Sequence, residues 1–202
     1  MHLGIVDDDT RLTENLRYLL QGEPGVQSVH TFASAEAFLA AQPRPELDFL
    51  LVDMNLPGLS GPELIARITE EPVKFGCLAH TGSVERQTVL AALQAGACGY
   101  VLKGAYRELV RALHVLEAGE TPMSPGIARQ VLQHFQKRLL ATPPPPATEG
   151  LSEQEQAVLQ GLAQGQTCQT IAAALSVSPG TVNSHVKQIY QKLRAQGQFT
   201  KL

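Results

Sequence analysis

The sequence predicts an α/β domain built on a doubly wound, five-stranded parallel sheet, followed by a small all-α domain. Three observations predict it. Short apolar runs alternate with helical patterns over most of the chain, prolines 143–146 interrupt regular structure, and the segment beyond them reads as helix throughout.

The elements follow in order. Leu3–Val6, Leu47–Val52, Cys77–Ala79 and Tyr100–Leu102 are apolar runs of strand length, and Val26–Phe32 is a weaker one. Leu12, Leu16, Leu19 and Leu20 fall on one helical stripe, and Tyr106, Leu109, Val110, Leu113 and Leu116 on another. Five strands each followed by a helix require right-handed crossovers and a parallel, flavodoxin-like sheet, whose functional crevice lies at the carboxyl ends of the strands. Residues 124–140 carry a further stripe, Ile127, Val131, Phe135 and Leu139, which predicts a helix leading into the linker. The stretch from Thr142 to Gly150 is that linker, because four consecutive prolines remove amide donors and favour an extended conformation. Three short helices then start near Ser152, Thr167 and Ser178, each a good N-cap. The expected boundaries are 1–118 for the sheet domain, 119–150 for a linker helix and proline-rich linker, and 151–202 for the helical domain.

Composition narrows the function classes. The 202 residues carry a net charge of −3, with no long apolar run and no leader pattern at Met1, so a membrane partner is not expected and a cytoplasmic location is. Cys77, Cys98 and Cys168 lack metal-type spacing and read as small hydrophobes. Charge is unevenly spread: residues 1–148 hold 12 Lys/Arg against 16 Asp/Glu, whereas residues 149–202 hold four against three and no acid after Glu155. The end of the chain is mildly basic and can approach a polyanion.

Placing polar residues on strand ends brings Asp7 and Asp8, Asp53, Thr81 and Gly82, and Lys103 to one edge. Carboxylates so close repel one another unless a proton or cation offsets them. Mg2+ suits the set, since it takes oxygen ligands octahedrally and keeps several waters. Such an ion neutralises phosphoryl oxygens during in-line transfer, Thr81 offers a hydroxyl and Lys103 a point charge, and an aspartyl phosphate can form. Asp9 reads as a helix cap and His80 as a strand-end residue without a role. A nucleotide site is disfavoured, because the loop after the first strand holds Asp7, Asp8 and Asp9 where phosphate would need amides. A hydrolase using an Asp-x-Asp pair is excluded by Asn55.

These motifs resemble response-regulator receiver domains over about residues 1–118: Ile5 to Asp8, Leu51 to Pro57 with Gly61, Thr81-Gly82, and Tyr100 to Lys103. The resemblance implies that Asp53 is the phosphoacceptor, that Asp7 and Asp8 bind magnesium with the Asn55 backbone carbonyl, and that Lys103 contacts the phosphoryl group. It also implies that Thr81 and Tyr100 form the switch pair. Leu56 replaces a common methionine conservatively.

In the last section Val158, Leu159 and Leu162, then Ile171, Ala172 and Leu175, then Val182, Val186, Ile189 and Leu193 mark three apolar faces, and Leu175 to Thr181 has the length of the turn in a helix-turn-helix. Leu151-Ser152 with Glu155, Ala163, Gly165, Ile171-Ala172, Leu175, Val177-Ser178, Thr181-Val182, His185 and Lys192-Leu193 resemble the LuxR-type DNA-binding domain. Joined to a receiver, the chain is similar to the NarL/FixJ group of response regulators. The helix from about Ser178 to Lys192 is then the recognition helix, with Asn183, Ser184 and Lys187 toward base edges and Thr181, His185 and Lys192 toward phosphates. Asn183 and Gln154 stand where that family usually has lysine and arginine, so adenine-type reading and modest affinity are expected unless two copies bind together. Arg194–Leu202, interrupted by Gly197, leave a short pairing helix.

The expected partners are a histidine kinase, double-stranded DNA and a second copy of the chain when phosphorylated, with no catalytic residues of its own. Two further readings are a receiver-based interaction module with weak or lost DNA binding, and a free-standing phosphatase that has no use for residues 151–202.

Overall fold

The computed structural model describes residues 1–70, 75–83, 85–139 and 150–198, leaving aside the side chains of 137–139 and 196–198. The proline-rich stretch 142–149, Leu140 and Lys201 lie outside the described residues. The chain divides into two compact units, Met1–Gly119 and Glu120–Leu202.

In the first unit, β1 (His2–Val6), β2 (Ser28–Phe32), β3 (Phe49–Val52), β4 (Gly76–Thr81) and β5 (Gly99–Leu102) alternate with α1 (Thr10–Gln21), α2 (Ala35–Ala40), α3 (Gly61–Glu70), α4 (Arg86–Ala95) and α5 (Tyr106–Glu117). The strands pair in the order β2-β1-β3-β4-β5 and all run parallel. Both faces are covered, which is why the strands read as continuous apolar runs. Leu50, Val52, Cys77 and Ala79 face one way and pack with Phe38 of α2 and Leu64, Ile65 and Ile68 of α3. Leu3, Ile5, Leu51 and Leu78 face the other way and pack with Leu16 and Leu20 of α1 and Leu109 and Leu113 of α5. The predicted α1 stripe is too wide by one residue: Leu19 is 45% exposed, beside an exposed Tyr18, because residues i+7 and i+8 diverge by about a quarter turn and only Leu20 reaches the sheet. Asp9 caps α1 as expected, accepting from the amides of Arg11 and Leu12. Of the cysteines, all free, Cys77 is buried and Cys98 and Cys168 partly so.

The second unit contains α6 (Pro125–Leu139), α7 (Glu153–Ala163), α8 (Cys168–Leu175) and α9 (Pro179–Gln198). Ser152, Thr167 and Ser178 each accept an amide three residues ahead. Ser152 and Glu155 form a reciprocal capping box. Gly161 lets α7 and α8 approach, since a Cβ there would meet Ile171 Cγ1 at 2.7 Å. The sequence reading makes residues 119–150 a connecting segment, whereas the structure builds α6 into this unit: Ile127, Ala128, Val131 and Phe135 are buried and the helix packs on α7. A three-helix core of this size leaves apolar surface open, and α6 covers it. Nor do Arg194–Gln198 form a separate pairing helix, because they are the last turn of α9. Among the described residues no helix is long and apolar enough to cross a membrane.

Candidate functional site: an acidic crevice and a recognition helix

Strand order reverses between β1 and β3, so the crevice beyond their carboxyl ends is open to a ligand. Register fixes what lines it. Val6 lies opposite Val52, which sets Asp7 beside Asp53; Thr81 lies opposite Leu102, which brings Lys103 to the same edge. Backbone bonds from Asp53 N–H to the Val6 carbonyl (2.9 Å) and from Lys103 N–H to the Thr81 carbonyl (2.8 Å) carry the ladder into the site.

Asp7, Asp8 and Asp53 each offer an oxygen within 4.8 Å of the others. Asp7 and Asp53 are buried and Asp8 is exposed, so the cluster opens to solvent on one side. Lys103 Nζ bridges the two buried acids, 2.8 Å from Asp7 Oδ2 and 3.1 Å from Asp53 Oδ2. Burial pushes the Asp7 carboxyl up despite that bond and an amide bond from Asp9. Burial works against the Lys103 charge too, but its hydrogen bonds to Asp7 and Asp53 prevail and hold its pKa above the usual lysine value. One lysine does not balance three acids. Asp53 Oδ1 is buried without a hydrogen-bond partner, and an all-oxygen set with a free buried lone pair fits a hard divalent cation.

The loop after Asp53 is held from two directions. Leu59 N–H donates to Glu36 Oε1 of α2 at 2.8 Å, while Ser60 and Glu63 cap α3. Gly61 closes it, because a Cβ there would lie 2.0 Å from the Asp53 carbonyl oxygen. Asn55, on this loop, is exposed. Thr81 is fully buried and its Oγ1 accepts the Ser83 amide at 3.2 Å. Tyr100 donates its hydroxyl to the Ser83 carbonyl and interacts with the Thr81 hydroxyl, so the two residues of the expected switch pair meet around Ser83. Gly82 is exposed with open space around it. His80, a strand-end residue without a role by sequence alone, is 2% exposed, its Nδ1 lacks a hydrogen-bond partner, and burial pulls its pKa down to about 4.

On α9 the six expected contact residues fare differently. Ser184 and Lys187 are exposed, with the Ser184 hydroxyl donated to the Gly180 carbonyl at 3.0 Å. Thr181 is half-buried and shares a hydroxyl bond with Ser178 at 2.9 Å. His185 is half-buried with a buried, unpartnered Nδ1. Asn183 Oδ1 accepts the Thr121 amide at 2.9 Å. Lys192, expected at phosphate, instead has its ammonium 2.6 Å from Glu155 Oε2 and 2.9 Å from the Gly150 carbonyl. The capping motif Ser-x-x-Glu was legible in sequence, but nothing in it announced that a lysine 37 residues on would share the Glu155 carboxylate.

A parallel sheet with three acids and a lysine at its switch point, joined to a helical unit with a helix-turn-helix connection, defines a receiver coupled to a DNA-binding domain. Residues 3–114 match the response regulator receiver domain family, and residues 149–200 the bacterial regulatory proteins of the luxR family. Response regulator GacA of Pseudomonas viridiflava is 32% identical over 191 residues, 94% of this chain and 87% of that protein. Nitrate/nitrite response regulator protein NarL of Escherichia coli strain K12 is 28% identical over 191 residues, 94% and 88% of the two chains. Among solved structures, the two-component response regulator RcsB in complex with DNA superposes with a TM-score of 0.61 at 26% identity, covering 96% of this chain and 92% of that one. The chain belongs to the NarL/FixJ family: it is a response regulator with a receiver domain and a LuxR-type DNA-binding domain.

Proposed function

We propose that Asp53 accepts a phosphoryl group and that its phosphorylation controls dimerisation and sequence-specific DNA binding, thereby regulating transcription. The observation carrying this reading is the bridging of Asp7 and Asp53 by Lys103 next to an unpartnered, buried Asp53 Oδ1. An Asp53 oxygen attacks phosphorus in line, the new O–P bond forms, and the bond to the donor breaks, with the donor's histidine nitrogen or small leaving group taking the electron pair. Asp7, Asp8 and Asp53, with the Asn55 carbonyl, would hold Mg2+, which supplies charge neutralisation for the phosphoryl oxygens. Lys103 then turns from the Asp53 carboxylate to a phosphoryl oxygen, and the Thr81 hydroxyl and the Gly82 amide donate to the others. The added charge of roughly −1.5 to −2 draws these groups inward, and Tyr100 couples them to the surface. The acceptor takes up phosphate stoichiometrically from a histidine kinase or small phosphodonor, in the cytoplasm, and is not a turnover catalyst.

At the other end, Ser184 and Lys187 with Asn183 face base edges, and Thr181 and His185 approach phosphates. Lys192 is withdrawn from that list as a free cation by its bond to Glu155. Asp53→Asn tests the reading: phosphate incorporation from a small phosphodonor with magnesium should vanish, and incorporation that persists means another acceptor. Binding of promoter fragments that weakens steeply with salt separates a DNA regulator from a receiver that acts only through protein contacts.

A further inference from the structure

The stretch in front of α6 is tied to α9 at two points. Thr121 N–H donates to Asn183 Oδ1 at 2.9 Å, and the hydroxyl of the buried Tyr190 donates to the Pro122 carbonyl at 2.9 Å. Asn183 and Tyr190 are seven residues apart, two helical turns, and share one stripe of α9. Behind this stretch α6 is fastened to the rest of the unit: Ile127, Val131 and Phe135 are buried, and Arg129 Nε donates to the Ala163 carbonyl that ends α7 at 2.8 Å.

A carboxamide reads adenine with both of its ends, Oδ1 accepting from N6 and Nδ2 donating to N7. Here Oδ1 is engaged by the Thr121 amide at 2.9 Å, so a base edge that needs Oδ1 has to displace that peptide unit. We propose that Glu120–Met123 is a strap tied down over Asn183 at the edge of the reading face of α9, and that base reading by Asn183 requires its release. The inference rests on α9 being the recognition helix. Only Ala118 and Gly119 separate the strap from the end of α5 in the chain.

The test uses the full-length, unphosphorylated protein and a duplex that the wild type selects from a random pool, with an unrelated duplex of equal length as reference. Tyr190→Phe removes one tie while keeping the ring, and Thr121→Pro removes the other donor. Each is expected to bind the selected duplex roughly fivefold tighter than the wild type, the equivalent of one hydrogen bond. The Thr121 amide, hydrogen-bonded to Asn183 in the free protein, should exchange slowly there and faster in the complex. Variants with wild-type circular dichroism that bind no tighter, or a Thr121 amide equally protected on DNA, overturn the strap alone. Absence of salt-dependent DNA binding by the wild type overturns the recognition-helix reading, and the strap with it.

Discussion

The Lys192 ammonium lies 2.6 Å from Glu155 Oε2, and the Glu155 side chain is only 3% exposed. Three structural tasks meet on that carboxylate. It closes the capping box of α7, neutralises Lys192 on α9, and through Lys192 holds the Gly150 carbonyl where the described chain re-enters the second unit. Burial raises the Glu155 pKa, but the bonds from Lys192 and Ser152 more than offset this and leave it below the ordinary value. Glu155→Gln should destabilise the DNA-binding unit by about 3 kcal/mol, because it strands a half-buried ammonium. Urea unfolding followed by circular dichroism measures this, and a loss well under 1 kcal/mol would show the pair to be solvent-screened.

The same contact separates two lysines of α9 on DNA. Lys187 is exposed, and neutralising it should lower the slope of log affinity against log salt by about 1. Lys192 already has a counter-charge, so Lys192→Met should weaken binding only as far as it loosens the fold, at an unchanged salt slope. A drop of about 1 in the slope for Lys192→Met would return that residue to the phosphate contacts.

The crevice was legible in sequence because its members sit at strand ends, where a period of two and a parallel topology fix position without knowledge of packing. Asp7, Asp53, Thr81 and Lys103 meet as the strand register requires. What escaped depends on side chains far apart in sequence. Ile127, Val131 and Phe135 announced an amphipathic helix but not which unit it covers, since a stripe specifies burial and not a partner. Asn183 and Lys192 looked outward by helical phase, yet long or flexible polar side chains are claimed by whatever donor or acceptor packing brings near, here Thr121 and Glu155.

Burial of the α6 stripe makes a further prediction. Phe135 is 3% exposed in a helix that the sequence alone would leave as a connector. Phe135→Ala should cost about 3 to 5 kcal/mol in the second unit. Amide exchange should then rise across α7 and leave the receiver sheet unaffected, whereas an unchanged α7 would mean that α6 is not part of this core.

Among the described glycines of the receiver, Gly61 leaves the least room for a side chain. A Cβ there would be 2.0 Å from the Asp53 carbonyl oxygen and 2.8 Å from Met54 Cα, both backbone atoms that cannot swing aside. Gly61→Ala must therefore push α3 away from the acceptor loop. The expected result is a loss of 3 kcal/mol or more, at the upper end of overpacking costs, together with slower phosphate incorporation. Wild-type stability in urea would mean that the loop and α3 part more easily than the contacts imply.

His80 gives the receiver an acid sensitivity that its carboxylates alone would not. It is buried on β4, and burial first, then the nearby Lys103 charge, pull its pKa from 6.5 to about 4, with Asp53 opposing. The unfolded chain thus takes up a proton near pH 6.5 that the folded chain refuses until about pH 4. Its contribution is complete above pH 6.5 and is lost as pH falls from there toward 4, amounting to about 3 kcal/mol over the whole interval. Between pH 7 and pH 5 the wild type should lose about 2 kcal/mol more than His80→Leu, which keeps the apolar volume and removes the proton site. Urea midpoints for both proteins at the two pH values measure the difference directly. Parallel losses in the two would mean that His80 is protonated in the fold without penalty, through a partner for its Nδ1 that the packing around β4 does not reveal.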